Sequence, residues 1–198
     1  MIVTISGAHG SGKSTIAQML ADKLSWPRYY MGGLRREAAK QRGLTLAEYN
    51  LLGENDPATD KEVDEYQQKL GLSSDSFIIE GRTSWFFIPH SFKIYLDVSE
   101  EEGYKRIFSH LQQDNDRNED KNLLSPDDVR QSLRARLNSD RLRYFKYYGI
   151  DVNDRAHYDY CLDTTHLNPS EAFEKVYQAV ISAQERFDAN LDSSKNKL

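Results

Sequence analysis

Ile2-Val3-Thr4-Ile5-Ser6-Gly7-Ala8-His9-Gly10-Ser11-Gly12-Lys13-Ser14-Thr15 is an apolar, β-branched run that breaks directly into a complete G-x-x-x-x-G-K-[ST] loop. The first five of these residues read as a strand. Gly7, Gly10 and Gly12 have no Cβ, so the backbone can fold tightly and turn its N–H groups toward an anion. The apolar positions that follow, Ile16, Met19, Leu20 and Leu24, recur at helical spacing. A helix opening at Lys13 would add its positive dipole end beneath the same point. Lys13 would then reach the β- and γ-phosphates of a triphosphate, and the Ser14 hydroxyl would hold Mg²⁺. The strand before and the helix after separate this loop from a chance glycine-rich turn. The whole stretch Gly7, Ala8, His9, Gly10, Ser11, Gly12, Lys13, Ser14 and Thr15 is expected to bind the phosphates.

Further strand patterns fall at 28–30, 76–80, 92–97 and 158–163, with helical patterns between them. That alternation predicts an α/β domain, a parallel sheet wound with helices. Thr45 with Glu48 and Ser99 with Glu102 read as capping boxes, and Ser125 before Pro126 reads as a cap followed by proline at the first helical position. Residues 31–72 carry more helix than a simple crossover needs, as an inserted flap would. Residues 107–125 end in a polar stretch without periodicity, expected to be a mobile lid, and 190–198 read as a flexible tail. The domain is expected to span 1–189.

The bulk properties exclude several classes. A chain of 198 residues suits one domain with a sufficient core. A net charge of −5 argues against a nucleic-acid surface, which needs a basic excess. Cys161 is the single cysteine, so an internal disulfide framework is excluded, and its alternating strand context predicts an inert buried thiol. No leader-like segment or membrane-length apolar run is seen. A soluble, cytoplasmic monomer acting on small molecules is expected.

A phosphate loop does not say where the phosphoryl group goes. No Asn-Lys-x-Asp tetrad for reading guanine is present. Arginines do stand in useful places. Arg36 follows the Gly32-Gly33 turn near the end of the short second strand. Phe77-Ile78-Ile79-Glu80-Gly81-Arg82 delivers Glu80 and Arg82 to a strand's carboxyl end, where wound sheets bind ligands. Glu80 would suit the surroundings of a Mg²⁺ ion held by Ser14. In the helical segment 126–147, Val129, Leu133, Leu137 and Tyr144 form an apolar stripe. Arg136, Asp140 and Arg143 lie along one flank at i, i+4 and i+7, and Arg130, Arg134 and Arg141 along the other. Charged residues bordering a buried stripe are ordinary, but six arginines around one stripe also match an anion clamp.

With these residues quoted, the chain resembles the archaeal-type cytidylate kinases, a group of nucleoside monophosphate kinases, along nearly its whole length. The carrying residues are the 2–15 stretch, Gly32 to Glu37, Glu80-Gly81-Arg82, Arg136-x-x-x-Asp140-x-x-Arg143-Tyr144, Tyr148-Gly149-Ile150-Asp151 and Tyr158-Asp159. The resemblance implies a P-loop fold with a five-stranded parallel sheet in the order 2-3-1-4-5, 31–72 as the monophosphate-binding insertion and 107–125 as the lid. It implies that Arg36, Arg82, Arg136, Asp140 and Arg143 bind the monophosphate. Arg106, Arg130 and Arg134 would meet the ATP phosphates. Lys13, Arg134, Arg136 and Arg143 would stabilise the transfer, with ATP and Mg²⁺ as cofactors. Met31 and Gly33 depart from the family pattern, which has a small polar and an acidic residue there.

The reaction implied is transfer from ATP to CMP or dCMP. The acceptor phosphate is already nucleophilic, so no general base is required, and none of the five histidines has a catalytic setting. Two rivals stand beside it. One is a kinase for another nucleotide or a small hydroxylated metabolite, which would need a carboxylate base near Arg36 and Arg82. The other is a nucleotide switch with negligible turnover, which has no use for a second anion site.

Overall fold

β1 (Ile2–Gly7), β2 (Arg28–Tyr30), β3 (Phe77–Glu80), β4 (Phe92–Asp97) and β5 (Tyr160–Asp163) pair in parallel, in the order β2-β3-β1-β4-β5. The structure is a computed structural model that describes residues 1–73, 75–112 and 123–195. The expected order 2-3-1-4-5 is therefore the observed one. β1 is buried along its whole length, as the centre of a doubly covered parallel sheet must be. Val3 and Ile5 point to one face, where α1 (Lys13–Leu24) and α8 (Pro169–Lys195) pack through Ile16, Leu20, Val176 and Val180. Ile2 points to the other, against Met31, Phe77, Ile79 and Ile88. Among the described residues no helix is long and apolar enough to cross a membrane.

Three helices fill the stretch between β2 and β3: α2 (Met31–Gln41), α3 (Leu46–Gly53) and α4 (Ala58–Gly71). The Thr45 capping box forms as expected, with the Thr45 N–H donating to Glu48 at 2.7 Å and the Glu48 N–H donating back at 3.2 Å. A single turn, α5 (Ser84–Phe87), follows β3. α6 (Glu100–Leu111) starts with Ser99 as cap, but the box is incomplete. Glu102 turns to Arg106 instead, and the Ser99 N–H donates to Thr165 Oγ1 at 2.9 Å. α7 (Pro126–Tyr148) has both the N1 proline and a full box between Ser125 and Asp128.

Three expectations are corrected. Cys161 is exposed, because β5 is the sheet's edge strand and its alternate residues face outward. Leu137 is also exposed, at 36%. Val129, Leu133 and Tyr144 of the expected stripe are buried, and Ser139, Asp140 and Arg143 are buried with them, so the supposed polar flank shares the inward face. The strand expected from 158 begins at Tyr160. Of the expected lid, 113–122 lie outside the described residues, and α8 runs through the start of the expected tail to Lys195, with 196–198 outside them.

Candidate active site

One cavity of about 600 Å³ opens at the carboxyl edge of the sheet, where the loops after β1, β3 and β5 meet α2, α4, α6 and α7. Its two ends differ in chemistry.

At the first end lies the loop after β1. Gly10 sits at φ +77°, and a Cβ there would come within 2.3 Å of the Gly103 carbonyl oxygen, so α6 packs its own glycine onto the loop. The Lys13 ammonium donates to the carbonyls of Gly7 (3.0 Å) and Ala8. Ser14 Oγ donates to Glu80 Oε2 at 2.7 Å, and Arg28 pairs with the other carboxylate oxygen. This neighbourhood follows from register, since Ile5 of β1 lies opposite Glu80 of β3. A hydroxyl beside a buried carboxylate supplies the hard oxygen donors that Mg²⁺ takes, the ion usually keeping phosphates and water as its other ligands. Arg106 lies on the far side of the loop. It donates to the Thr164 and Thr165 carbonyls at 2.9 and 3.1 Å and pairs with Glu102 at 3.0 Å. It thereby ties the segment after β5 to α6. Leu167, Pro169 and Ala172 extend the wall here as an apolar slot, which the sequence reading missed because no charged or glycine signal marks it.

The second end is lined by Arg36, Arg82 and Arg136. Arg82 Nε pairs with Asp140 Oδ2 at 2.8 Å, and its Nη2 lies 2.7 Å from His9 Nε2 of the phosphate loop. Asp140 in turn takes Arg143, which donates at 2.6 Å to both oxygens of Asp60. Asp60 also receives Arg35 at 2.5 Å, and Arg35 Nε donates to Asn50 Oδ1 at 2.8 Å. Charge thus alternates through Arg82, Asp140, Arg143, Asp60 and Arg35. Burial works against the Asp140 charge, but Arg82, Arg143, Arg136 and Arg35 outweigh it and hold its carboxyl below the usual range. Burial likewise opposes the Arg143 charge, and neighbouring Tyr144, Asp140 and Asp60 prevail over it, so its pKa is raised. A guanidinium network this paired and buried is preorganised for an anion at its exposed end.

The predicted residues therefore divide. The loop residues His9 to Thr15, with Arg36, Glu80, Arg82, Arg106, Arg136 and Asp140, converge on the cavity. Arg143 does not line it. It is 0% exposed and lies beneath the floor, where it positions Asp140 and Asp60. Arg130 and Arg134 stand on the outer side of α7. Arg130 is paired with Asp127 at 3.4 Å and Arg134 with Glu100 at 2.9 Å, both of them substantially exposed. Helical geometry accounts for Arg134, which at about 100° per residue lies far round the helix from Arg136, Asp140 and Arg143. Arg35, Asn50, Asp60, Asp64 and Gln67 were missed, since a buried arginine or carboxylate on a short helix is indistinguishable in sequence from a solvated one.

The Cytidylate kinase-like family matches the chain over residues 2–166. The chain belongs to this family. It is 36% identical over 190 residues to the cytidylate kinase of Halobacterium salinarum, covering 95% of this chain and 93% of that one. It is 35% identical over 165 residues to that of Methanococcoides burtonii, covering 83% and 88%. Among solved structures, shikimate kinase from Acinetobacter baumannii in complex with shikimate shares the fold at TM-score 0.56, 17% identity and 92% and 93% coverage. A gluconokinase from Sinorhizobium meliloti does so at TM-score 0.60, 12% identity and 95% coverage of each. Gly33, expected to depart from the family pattern, packs against Tyr30. A Cβ there would meet the Tyr30 ring at 2.8 Å, and the Tyr30 hydroxyl occupies the space beside Arg36, accepting its hydrogen bond. Met31 is buried and lines the cavity.

Proposed function

We propose that the chain transfers the γ-phosphoryl group of MgATP to CMP or dCMP, giving ADP and the corresponding diphosphate. The observation that carries this reading is one cavity with a triphosphate loop at one end and Arg36, Arg82 and Arg136 at the other. Its curated relatives are named cytidylate kinase. ATP would lie with its phosphates on the loop, Lys13 swinging from the loop carbonyls to the β- and γ-oxygens. Ser14 and Glu80 would hold Mg²⁺, which when bound neutralises charge on the phosphate oxygens. The acceptor phosphate would lie among Arg36, Arg82 and Arg136, with α2 to α4 forming its wall. Asp140 orients Arg82, and Arg143 orients Asp140 from below. No proton need be removed from the acceptor, because its phosphate is ionised near neutral pH. Catalysis then rests on alignment and on charge neutralisation between two anionic groups.

Acceptor-dependent ADP release tests this reading. MgATP with CMP or dCMP should give ADP far faster than MgATP alone, and Lys13→Ala should abolish the difference without altering the melting temperature. Bound ATP with no response to either monophosphate would overturn it, and a response to a sugar or other hydroxyl compound instead would point to the rival kinase.

A further inference from the structure

The deep end of the cavity, away from the phosphate loop, has apolar walls of Met31, Val63 and Tyr144 and a polar end formed by Asp64, Gln67 and Thr83. Asp64 is unlike the other acids lining the cavity. Among the described residues, Asp60, Glu80, Glu102 and Asp140 each lie in an ion pair. Asp64 is held by neutral donors, the Tyr148 hydroxyl at Oδ2 and the Gln67 amide at Oδ1 (3.3 Å). Gln67 is itself locked, because Ser84 Oγ donates to its Oε1 at 2.6 Å and thereby turns its Nε2 toward Asp64 and Thr83. Thr83 Oγ1 accepts from that same Nε2 at 3.3 Å. A hydroxyl that accepts through its oxygen retains its proton to donate. The end of the cavity therefore presents a fixed acceptor, Asp64 Oδ1, beside the Thr83 hydroxyl, whose proton is left to donate, between apolar walls suited to the faces of a flat ring.

We propose that this pair is the base-reading site of the acceptor, Asp64 accepting from the exocyclic 4-amino group of cytosine while Thr83 donates to ring N3. The proposal rests on the kinase reading above and adds the means of base choice. Uracil places a carbonyl oxygen against the acceptor-only carboxylate, and its N3–H can be met only if the Thr83 hydroxyl turns its proton away and accepts through its remaining lone pair. A buried carboxylate left facing a carbonyl oxygen gives strong discrimination. The apolar Met31 fits a wall against the ring face, where a hydrogen bond to substrate is not needed.

Steady-state kinetics with CMP and UMP for wild type, Asp64→Asn and Thr83→Val tests the assignment. Wild type should strongly prefer CMP. Asn can present either its oxygen or its NH₂ to the base, so Asp64→Asn should lower the CMP/UMP ratio of kcat/KM at least tenfold with the KM for MgATP unchanged. Thr83→Val should lower kcat/KM for CMP about tenfold, again without an effect on MgATP, and it provides an independent test if the Asp64 variant folds poorly. A CMP/UMP ratio within twofold of wild type in Asp64→Asn together with a kcat/KM for CMP within twofold of wild type in Thr83→Val, or a wild type that uses UMP as well as CMP, would overturn this inference and leave the kinase reading standing. A wild type that phosphorylates neither nucleotide while binding ATP would overturn both.

Discussion

Arg143 carries the sharpest consequence among single residues. Its guanidinium is fully buried between Asp60 and Asp140, so truncation takes a buried partner from both carboxylates and leaves Asp60 to Arg35 and Asp140 to Arg82. Removing one partner of such a pair typically costs about 3–5 kcal/mol. Arg143→Ala should therefore lose stability on that scale in urea denaturation; a loss below about 1 kcal/mol would mean the pairs are solvated. The role was half legible. The spacing of Arg136, Asp140 and Arg143 picked out one side of a helix, but Asp60 lies 83 residues away in sequence and no local pattern announces it. Asp64 gives a prediction of opposite sign. Its carboxyl titrates at about 6, raised mainly by burial and further by Asp60, while the Tyr148 hydrogen bond, Arg35 and Arg143 pull it down. A raised carboxyl pKa favours the protonated folded form. Stability from this group is thus complete below about pH 4 and lost as pH rises through about 6. Asp64→Asn should remove that loss, worth at most about 3 kcal/mol. The variant should gain melting temperature over wild type more at pH 8 than at pH 4. Equal shifts at the two pH values would contradict the burial argument.

Among elements, α6 and α7 show what helical periodicity does and does not convey. Both helices and their caps were readable from Ser99, Ser125 and Pro126 because capping depends on neighbours in sequence. The stripe read on α7 is buried at Val129, Leu133 and Tyr144, but how far the inward face extends past it was not legible. Moving from Leu133 by three residues to Arg136, or by four to Leu137, are both helical steps, and hydrophobicity favoured the second. The cavity and the Asp60 carboxylate, neither visible locally, select the first. Cys161 is a similar case, since strand alternation says which residues share a face but not whether the strand is at the sheet's edge. α6 also braces the phosphate loop through Gly103, where an added Cβ would approach the His9 carbonyl oxygen at 2.6 Å. Gly103→Ala should displace the loop and raise the KM for MgATP about tenfold, by the roughly 1–3 kcal/mol that overpacking costs, with a smaller effect on the monophosphate KM. An unchanged KM for MgATP would show that α6 does not set the loop's position.

For the molecule as a whole, the parallel sheet brings the ends of β1 and β3 together, so the phosphate loop, Glu80 and Arg82 are neighbours by register. Arg82 then spans from His9 of that loop to Asp140 of α7, so a single side chain links the two ends of the cavity. The P-loop and the alternation of elements were plain in the sequence, since both are patterns of adjacent residues. The sheet order came through the family resemblance. The deep end formed by Asp64, Gln67 and Thr83 was hidden, being assembled from α4 and the turn after β3, which carry no motif of their own. The central claim is direct transfer between two phosphates held in one cavity. Incubating the protein with γ-labelled MgATP and CMP, and following the label, tests it most directly. The label should appear in CDP, with little in inorganic phosphate. Label found only in inorganic phosphate, or retained in ATP with CMP present, would contradict it.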